Sequence, residues 1–125
     1  MDLDQLKFDS DGLIPAIAFD VDTNQVVMLG YMNAEAVQRT AETGIATYWS
    51  RSRQKFWVKG ESSGHTQEVR WMRTDCDADT LLLGIKQNVA ACHNGYFSCF
   101  YRELKDGVWE VVEERVFDPE DAYGR

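Results

Sequence analysis

Residues 14–44 decide the fold class, and they read IPAIAFDVDTNQVVMLGYMNAEAVQRTAETG. Two short runs, 14–20 and 25–31, are rich in valine, isoleucine and aromatic residues and have the length of strands. The tripeptide between them, residues 22–24, contains Asp, Thr and Asn, which are common in turns. The two runs are therefore predicted to form a β-hairpin.

A helix is predicted directly after this hairpin, over Ala34–Thr43. Asn33 can cap its free amide groups, and Gly44 can adopt the left-handed conformation that closes a helix. Six further runs have strand composition: 46–50, 55–59, 68–74, 80–86, 96–104 and 108–115. An Asp-Gly step joins the last two and predicts a second hairpin. The fold class is thus mainly β, of the α+β kind, with a mixed or antiparallel sheet and one or two small helices.

Length and composition indicate one domain, residues 1–125, with enough apolar residues to bury a core. The formal charge of -8 argues against nonspecific nucleic-acid binding, which depends on clustered lysine and arginine. The amino terminus has neither a positive start nor an apolar stretch, so we expect no signal peptide and no membrane segment. Three cysteines cannot all pair within one chain, which favours a reducing cytoplasm.

The acidic run Asp75-Cys76-Asp77-Ala78-Asp79 lies near the middle of the chain. In extended backbone, successive side chains point to opposite faces, so the three aspartates would share one face and the cysteine the other. Carboxylate oxygens suit hard cations such as magnesium, whereas a thiolate suits zinc. The run is predicted to serve two metal sites lying back to back. The simpler interpretation is a solvated acidic turn.

The other two cysteines lie in Ala91-Cys92-His93 and Ser98-Cys99-Phe100. The spacing of the three, C-x15-C-x6-C, matches no paired zinc-finger pattern, and a lone cysteine is often just a small apolar residue. A structural zinc site takes four protein ligands, whereas a catalytic site takes three and leaves a position for water. Three thiolates therefore suit a catalytic zinc. His93 is interpreted as a structural residue, a metal ligand or a general acid–base.

The acidic chain becomes basic over residues 48–65. If this stretch is extended, Arg51, Arg53 and Lys55 share one face, and nearby serines and glycines can donate hydrogen bonds to a phosphate. The alternative is a charged edge strand, which uses such residues to discourage further pairing. The two tryptophans of this stretch are assigned to the core rather than to base stacking, namely Trp49 and Trp57.

Taken in order, five motifs resemble the phosphoribosyl-AMP cyclohydrolase family of histidine biosynthesis. The resemblance runs over residues 28–103, and its motifs are Trp49-Ser50-Arg51-Ser52-Arg53, Lys59-Gly60-Glu61-Ser62-Ser63-Gly64, Asp75-Cys76-Asp77-Ala78-Asp79, Ala91-Cys92-His93 and Ser98-Cys99-Phe100. Two departures stand beside the fourth motif, where Val89 and Asn94 occupy positions expected to hold glycine and threonine. They affect the expected shape of that loop rather than its chemistry.

The resemblance implies one magnesium ion and one zinc ion per subunit of an intertwined homodimer, built as an open pseudo-barrel. Magnesium would be held by Asp75, Asp77 and Asp79. Zinc would be held by Cys76 of one subunit together with Cys92 and Cys99 of the other. The implied reaction is hydrolysis of the N1–C6 bond of a phosphoribosylated adenine ring, with a zinc-activated water attacking C6.

Proton transfer in that reaction is assigned to His93 or His65. Substrate binding is assigned to five residues: Arg51, Arg53, Lys59, Ser62 and Ser63. A zinc purine deaminase is an alternative, although the H-x-E and P-C-x-x-C elements of the zinc deaminases are missing. A second alternative is a noncatalytic, zinc-stapled dimer that binds a nucleotide, in which His93 would be the fourth zinc ligand. The acidic tail, residues 113–125, is interpreted as a solvated terminus or a dimer contact, without chemistry.

Overall fold

The computed structural model describes residues 2–122. Its strands are β1 Ile14–Asp20, β2 Gln25–Met32, β3 Thr47–Ser50, β4 Lys55–Val58, β5 Gln67–Thr74, β6 Leu81–Gln87, β7 Arg102–Lys105 and β8 Val108–Val111. Its α-helices are α1 Ala34–Thr43 and α2 Pro119–Ala122, and a short 3-10 helix covers Leu3–Gln5. The predicted class, mostly strands with two helices, is confirmed. No helix of the described chain is long and apolar enough to cross a membrane.

The main sheet has four strands in the order β2-β1-β6-β5. β1 pairs antiparallel with β2 through the predicted hairpin and parallel with β6, and β5 pairs antiparallel with β6, so the sheet is mixed. Alternate residues of β1 are buried, ending at Asp20. The carboxylate of Asp20 accepts hydrogen bonds from the backbone amides of Thr23 and Gln87. It therefore ties the hairpin turn to the end of β6.

Helix α1 has the predicted bounds and the predicted ends. Asn33 Oδ1 accepts a hydrogen bond from the backbone amide of Ala36 at 2.8 Å, and Gly44 has a φ of 74°, in the left-handed region. The buried Thr40 hydroxyl donates to the carbonyl of Thr47 and accepts from its amide. This pair of bonds fixes the helix against β3.

Two further sheets have two strands each, β3 with β4 and β7 with β8. The second is the predicted Asp-Gly hairpin, with Asp106 and Gly107 at φ 51° and 80°. The described strands form no closed barrel. The open pseudo-barrel and the intertwined dimer stay predictions.

The strand predicted over 96–104 is wrong in its first half, because β7 begins only at Arg102. Residues before it fold back on themselves, since the amides of Ala91 and Cys92 donate to the carbonyls of Phe97 and Tyr96. The amide of Cys99 then donates to the carbonyl of Val27 on β2. These bonds satisfy the backbone without a continuous strand. We call residues 91–99 the cysteine loop.

Candidate active site

A pocket of about 910 Å³ opens between β2, the β3–β4 hairpin and the cysteine loop. That volume suits a ligand of nucleotide size. The pocket is lined by apolar side chains of β2 and β4 and by a ring of polar ones. Predicted site residues that line it are Arg53, Lys59, Ser62, Ser63, His93 and Cys99. The fold thus collects residues from four separate motifs around one cavity.

Arg51 lies outside this pocket. Residues 51–54 form a turn rather than an extended strand, so the predicted common face of Arg51, Arg53 and Lys55 is wrong. Gln54 closes the turn: its φ is 53°, and its backbone amide donates to the carbonyl of Ser50. As a result, the Arg51 guanidinium stacks 4.0 Å from the ring centre of Tyr31 and lines a neighbouring depression. Lys55 and Arg53 both face the main pocket.

The prediction that both tryptophans lie in the core is wrong for Trp57. This residue is 37% exposed and forms a wall of the pocket. Trp49 is half-buried and packs edge-on against Phe56, with ring centres 5.0 Å apart. The fully buried aromatic residue of this hairpin is instead Tyr48. β3 places Tyr48 and Trp49 on opposite faces, and the hydroxyl of Tyr48 reaches Gln67 of β5 in the main sheet.

Within the cysteine loop, Cys92 is buried and Cys99 borders the pocket. Burial, followed by the nearby Cys92, raises the pKa of Cys99 to about 11, while Lys59 acts in the opposite direction. The two thiols therefore lie close enough to influence each other. Uncharged thiols side by side become thiolates readily when a cation binds, so this pair fits a soft metal such as zinc.

Lys59 is only 6% exposed, although it carries a charge. It follows β4, and its Nζ donates a hydrogen bond of 2.5 Å to the carbonyl of Ala91, the residue before Cys92. Burial lowers the pKa of Lys59, while Cys99 and Cys92 raise it in part. The turn after it requires Gly60, whose φ is 83° and whose Cβ, if present, would lie 2.4 Å from the backbone of His65.

Residues 75–79 form a turn between β5 and β6, not the predicted extended segment, and Ala78 has a φ of 60°. Asp75 Oδ1 accepts from the backbone amides of Asp79 and Thr80, which is the local bonding that makes aspartate a turn residue. The turn still brings the three carboxylates together, with oxygens of Asp75, Asp77 and Asp79 within 4.8 Å of one another. We call it the acidic turn.

The acidic turn has the electrostatics of a site for a hard cation. Hydrogen bonds with Asp77 and Asp75 raise the pKa of Asp79, because a proton shared among the carboxylates relieves their repulsion. At Asp75, loss of hydration raises the pKa of the carboxyl. Hydrogen bonds, those from Asp79 first, lower it by more in total, so the pKa of Asp75 is lowered overall. The oxygen donors fit magnesium, and all three carboxylates are exposed.

The three cysteines do not meet within one chain. Cys76 is exposed in the acidic turn, before β6, whereas Cys92 and Cys99 follow that strand. Among residues 2–122, no group of three metal-binding side chains within 4.8 Å contains a cysteine. One chain therefore supplies two adjoining thiols and a third that does not join them.

His65 and His93 occupy different surroundings. His93 is exposed at the pocket, whereas His65 is 7% exposed and packs its ring against Phe117, with centres 4.7 Å apart. Burial, and then the charge of Lys59, lower the pKa of His65. The contact with Phe117 shows that the tail is not simply solvated as predicted. Residues 123–125 of that tail lie outside the described chain.

A chain of buried polar side chains, missed by sequence reasoning, runs under the pocket. Tyr48 donates to Gln67 Oε1 at 2.6 Å, and Gln67 Nε2 donates to Gln87 Oε1 at 2.9 Å. Gln87 Nε2 then donates to the carbonyl of His65. The signal was weak: a glutamine beside each of two apolar runs. Such a network fixes the strand ends because each buried group is costly to leave without a partner.

Comparisons with known proteins show the family of this chain. A model of the family described as phosphoribosyl-AMP cyclohydrolase matches residues 28–101. A protein of that name from Methanococcoides burtonii is 58% identical over 123 residues, covering 98% of this chain and 99% of the relative. Namesakes from Thioalkalivibrio sulfidiphilus and Salinibacter ruber are 56% and 54% identical, each covering at least 97% of this chain. The chain therefore belongs to the phosphoribosyl-AMP cyclohydrolase family of enzymes.

Proposed function

We propose that this chain opens the adenine ring of 1-(5-phosphoribosyl)-AMP by hydrolysis of the N1–C6 bond, as a cytoplasmic homodimer that uses zinc and magnesium. The observation that carries the proposal is the shared pocket, which is lined by Cys99 and His93 and also by Arg53 and the serines of residues 62–63. One wall can serve bond cleavage and the other can hold a phosphorylated substrate. The pocket volume of about 910 Å³ accommodates a nucleotide.

The reaction consumes one water molecule. The water oxygen bonds to C6 and the N1–C6 bond breaks. One proton of the water reaches N1 and the other reaches the exocyclic nitrogen on C6, which leaves a carboxamide on the imidazole ring. His93 is the residue that we assign to this proton transfer, because it is exposed to the pocket while His65 is buried against Phe117. Trp57 offers a partly exposed ring beside the same space, against which a purine can stack.

The phosphates of the substrate are assigned to the basic and hydroxyl groups of the β3–β4 hairpin. Arg53 and Lys55 supply charge, and Ser62 and Ser63 supply hydroxyl donors on the turn that follows β4. Arg51 faces the neighbouring depression, which adjoins the pocket through Ser50, Ser52 and Trp57. A substrate with two phosphoribosyl arms is long enough to extend from one to the other.

Zinc is proposed to be held by Cys92 and Cys99 of one subunit and Cys76 of the other. Among residues 2–122, no group of three metal-binding side chains within 4.8 Å contains a cysteine, and this supports a site shared between two copies. A zinc ion with three protein ligands supplies Lewis acidity that makes water a competent nucleophile near neutral pH. Magnesium is assigned to the acidic turn, whose three carboxylates lie within 4.8 Å.

The hairpin of β7 and β8 supports the proposed homodimer. One of its faces carries Leu104, Trp109 and Val111, which are 55%, 65% and 55% exposed, with Arg102 at its edge, and the opposite face carries two glutamates and a lysine beside Val108. A contiguous exposed apolar face usually marks a protein–protein contact. Docking of this face on a second copy would bury the side chains and could bring the two zinc half-sites together.

The test is incubation with phosphoribosyl-AMP, with ring opening followed by absorbance before and after zinc removal by a chelator. We expect turnover to disappear with zinc and to return on adding zinc but not magnesium alone. Full turnover by the zinc-free protein would contradict the zinc role. Release of ammonia would indicate the deaminase alternative. Spectra of the cobalt-substituted protein that showed His93 as a fourth ligand would favour the noncatalytic dimer.

A further inference from the structure

Lys59 joins the pocket hairpin to the cysteine loop. Its backbone amide donates to the carbonyl of Ala46, so the residue is anchored to the segment that leads into β3. Its side chain crosses to the carbonyl of Ala91, thirty-two positions further along the chain. The ammonium lies 5.1 Å from the ring centre of Trp57. The side chain is thus held on two sides, beneath the surface of the pocket.

A buried ammonium needs a compensating negative charge, because a neutral carbonyl replaces only part of its lost hydration. None of the ion pairs formed among residues 2–122 includes Lys59. The thiols nearest this contact belong to Cys92, which directly follows the bonded Ala91, and to Cys99, which lines the same pocket. Its natural counter-charge is therefore a thiolate, and a thiolate forms at this pair when a metal is bound.

We propose that Lys59 is a positioning residue of the zinc site, supplying the counter-charge of the Cys92 and Cys99 thiolates and holding the Ala91 carbonyl that orients their loop. The inference rests on the proposed zinc ligands and replaces the role in substrate binding that the sequence suggested for Lys59. Metal binding converts three neutral thiols and a divalent cation into a centre with one excess negative charge. The Lys59 ammonium offsets that charge at close range.

The structure also explains why another cation of the pocket cannot serve this role. Lys55 lines the same pocket from the start of β4, but its side chain is exposed, so water screens its charge. Lys59 is nine-tenths or more buried, where screening is weak. Lys55 is therefore a matched control, since it is the same residue type on the same hairpin.

The experiment measures the zinc dissociation constant of the full-length homodimer by competition with a chromophoric chelator. We expect Lys59→Met, which keeps the side-chain length and loses the charge, to weaken zinc binding by about 10- to 100-fold, as is typical when a group supporting the ligands is removed. Lys59→Arg should stay within a few-fold of the wild-type constant. Lys55→Met should leave the constant unchanged and raise KM for phosphoribosyl-AMP.

Three results would overturn the inference. The first is a wild-type zinc constant in Lys59→Met with a raised KM, which would return Lys59 to substrate binding. The second is equal loss of zinc in Lys59→Arg and Lys59→Met, which would exclude the charge as the cause. The third is an absence of zinc from the wild-type protein, which would overturn the proposed function as well. If Lys59→Met does not fold in the zinc-free state, Lys59→Gln, which keeps a donor for Ala91, decides the same comparison.

Discussion

The segments before and after β6 carry two groups of side chains that we propose as metal ligands, and the two groups are assembled in different ways. Before β6, the acidic turn takes three carboxylates from five consecutive residues, and they are exposed and already within 4.8 Å. After β6, the cysteine loop offers two thiols, one of them buried, which rest against Lys59 from another hairpin. The first set is a product of local turn geometry. The second depends on tertiary contacts and, under our proposal, on a second subunit.

The largest effect is expected from breaking the shared site. Cys76→Ser and Cys92→Ser should each lose zinc and reduce turnover about a thousandfold or more, because several kcal/mol of Lewis-acid stabilisation disappear. Mixing equal amounts of the two inactive variants should restore about a quarter of wild-type activity, since half of the reassembled dimers contain one intact site. Turnover and zinc content measure both effects.

Recovery on mixing is specific to ligands that come from different subunits. A mixture of Cys92→Ser and Cys99→Ser, two ligands proposed to lie on the same subunit, is the control and should stay inactive. Recovery there, or its absence in the first mixture after verified subunit exchange, would contradict the proposed division of ligands.

A smaller effect is expected at the β7–β8 hairpin, on which the cysteine site but not the acidic turn should depend. Trp109→Glu should weaken the dimer by about 30-fold or more, because a buried aromatic anchor contributes about 2 kcal/mol or more. Sedimentation at several concentrations measures the change, and zinc content should fall with the dimer fraction. Val108→Glu places the same charge on the opposite, charged face and should leave the dimer intact. Equal behaviour of the two variants would remove this face as the interface.

The acidic turn should respond to a change at its own carboxylates alone. Asp77→Asn should weaken magnesium binding by roughly tenfold or more, because one unit charge is lost beside the cation. The same change should leave zinc content as it is and slightly raise the thermal midpoint of the metal-free protein, since carboxylate repulsion is relieved. Titration calorimetry measures the first effect. Asp4→Asn, an exposed residue near the amino terminus, is the control for net charge; a matching loss there would argue against a local site.

The smallest effect concerns backbone strain at two positions, Ala78 in the acidic turn and Val89 shortly before the cysteine loop. Val89, at φ 63°, and Ala78, at φ 60°, hold left-handed conformations that cost about 1–2 kcal/mol for residues with a Cβ. Val89→Gly should raise the free energy of unfolding by about 0.5–1 kcal/mol after the entropic cost of glycine. Ala78→Gly should gain less, because alanine is not β-branched. Urea denaturation measures both, and destabilisation by Val89→Gly would show that its side chain makes contacts worth more than the strain.

Local pattern predicted the β1–β2 hairpin, α1 with its capping residues and the β7–β8 turn, whereas the residues assigned to the site came mainly from the family resemblance. Local pattern gave the wrong prediction where backbone hydrogen bonds outside a regular strand bend a segment that has strand composition. Residues 96–101 have strand composition, yet the carbonyls of Tyr96 and Phe97 bond back to the cysteine loop. Residues 51–54 turn instead of continuing, which separates Arg51 from Arg53. The family resemblance leads us to expect glycine at position 89, and Val89 has a positive φ there, the conformation that favours glycine. The backbone at this position therefore keeps a glycine-like conformation although the residue differs.

The sequence by itself determined the class of fold, the order of motifs and the types of ligand, because hairpins, helix caps and turns depend on neighbours only a few residues apart. Tertiary structure alone decided the parallel pairing of β1 with β6, the burial of Lys59 beside Ala91, and the distance from Cys76 to the other two cysteines. Those contacts join residues far apart in the chain, and their energies come from shared burial and bonding rather than from any local pattern.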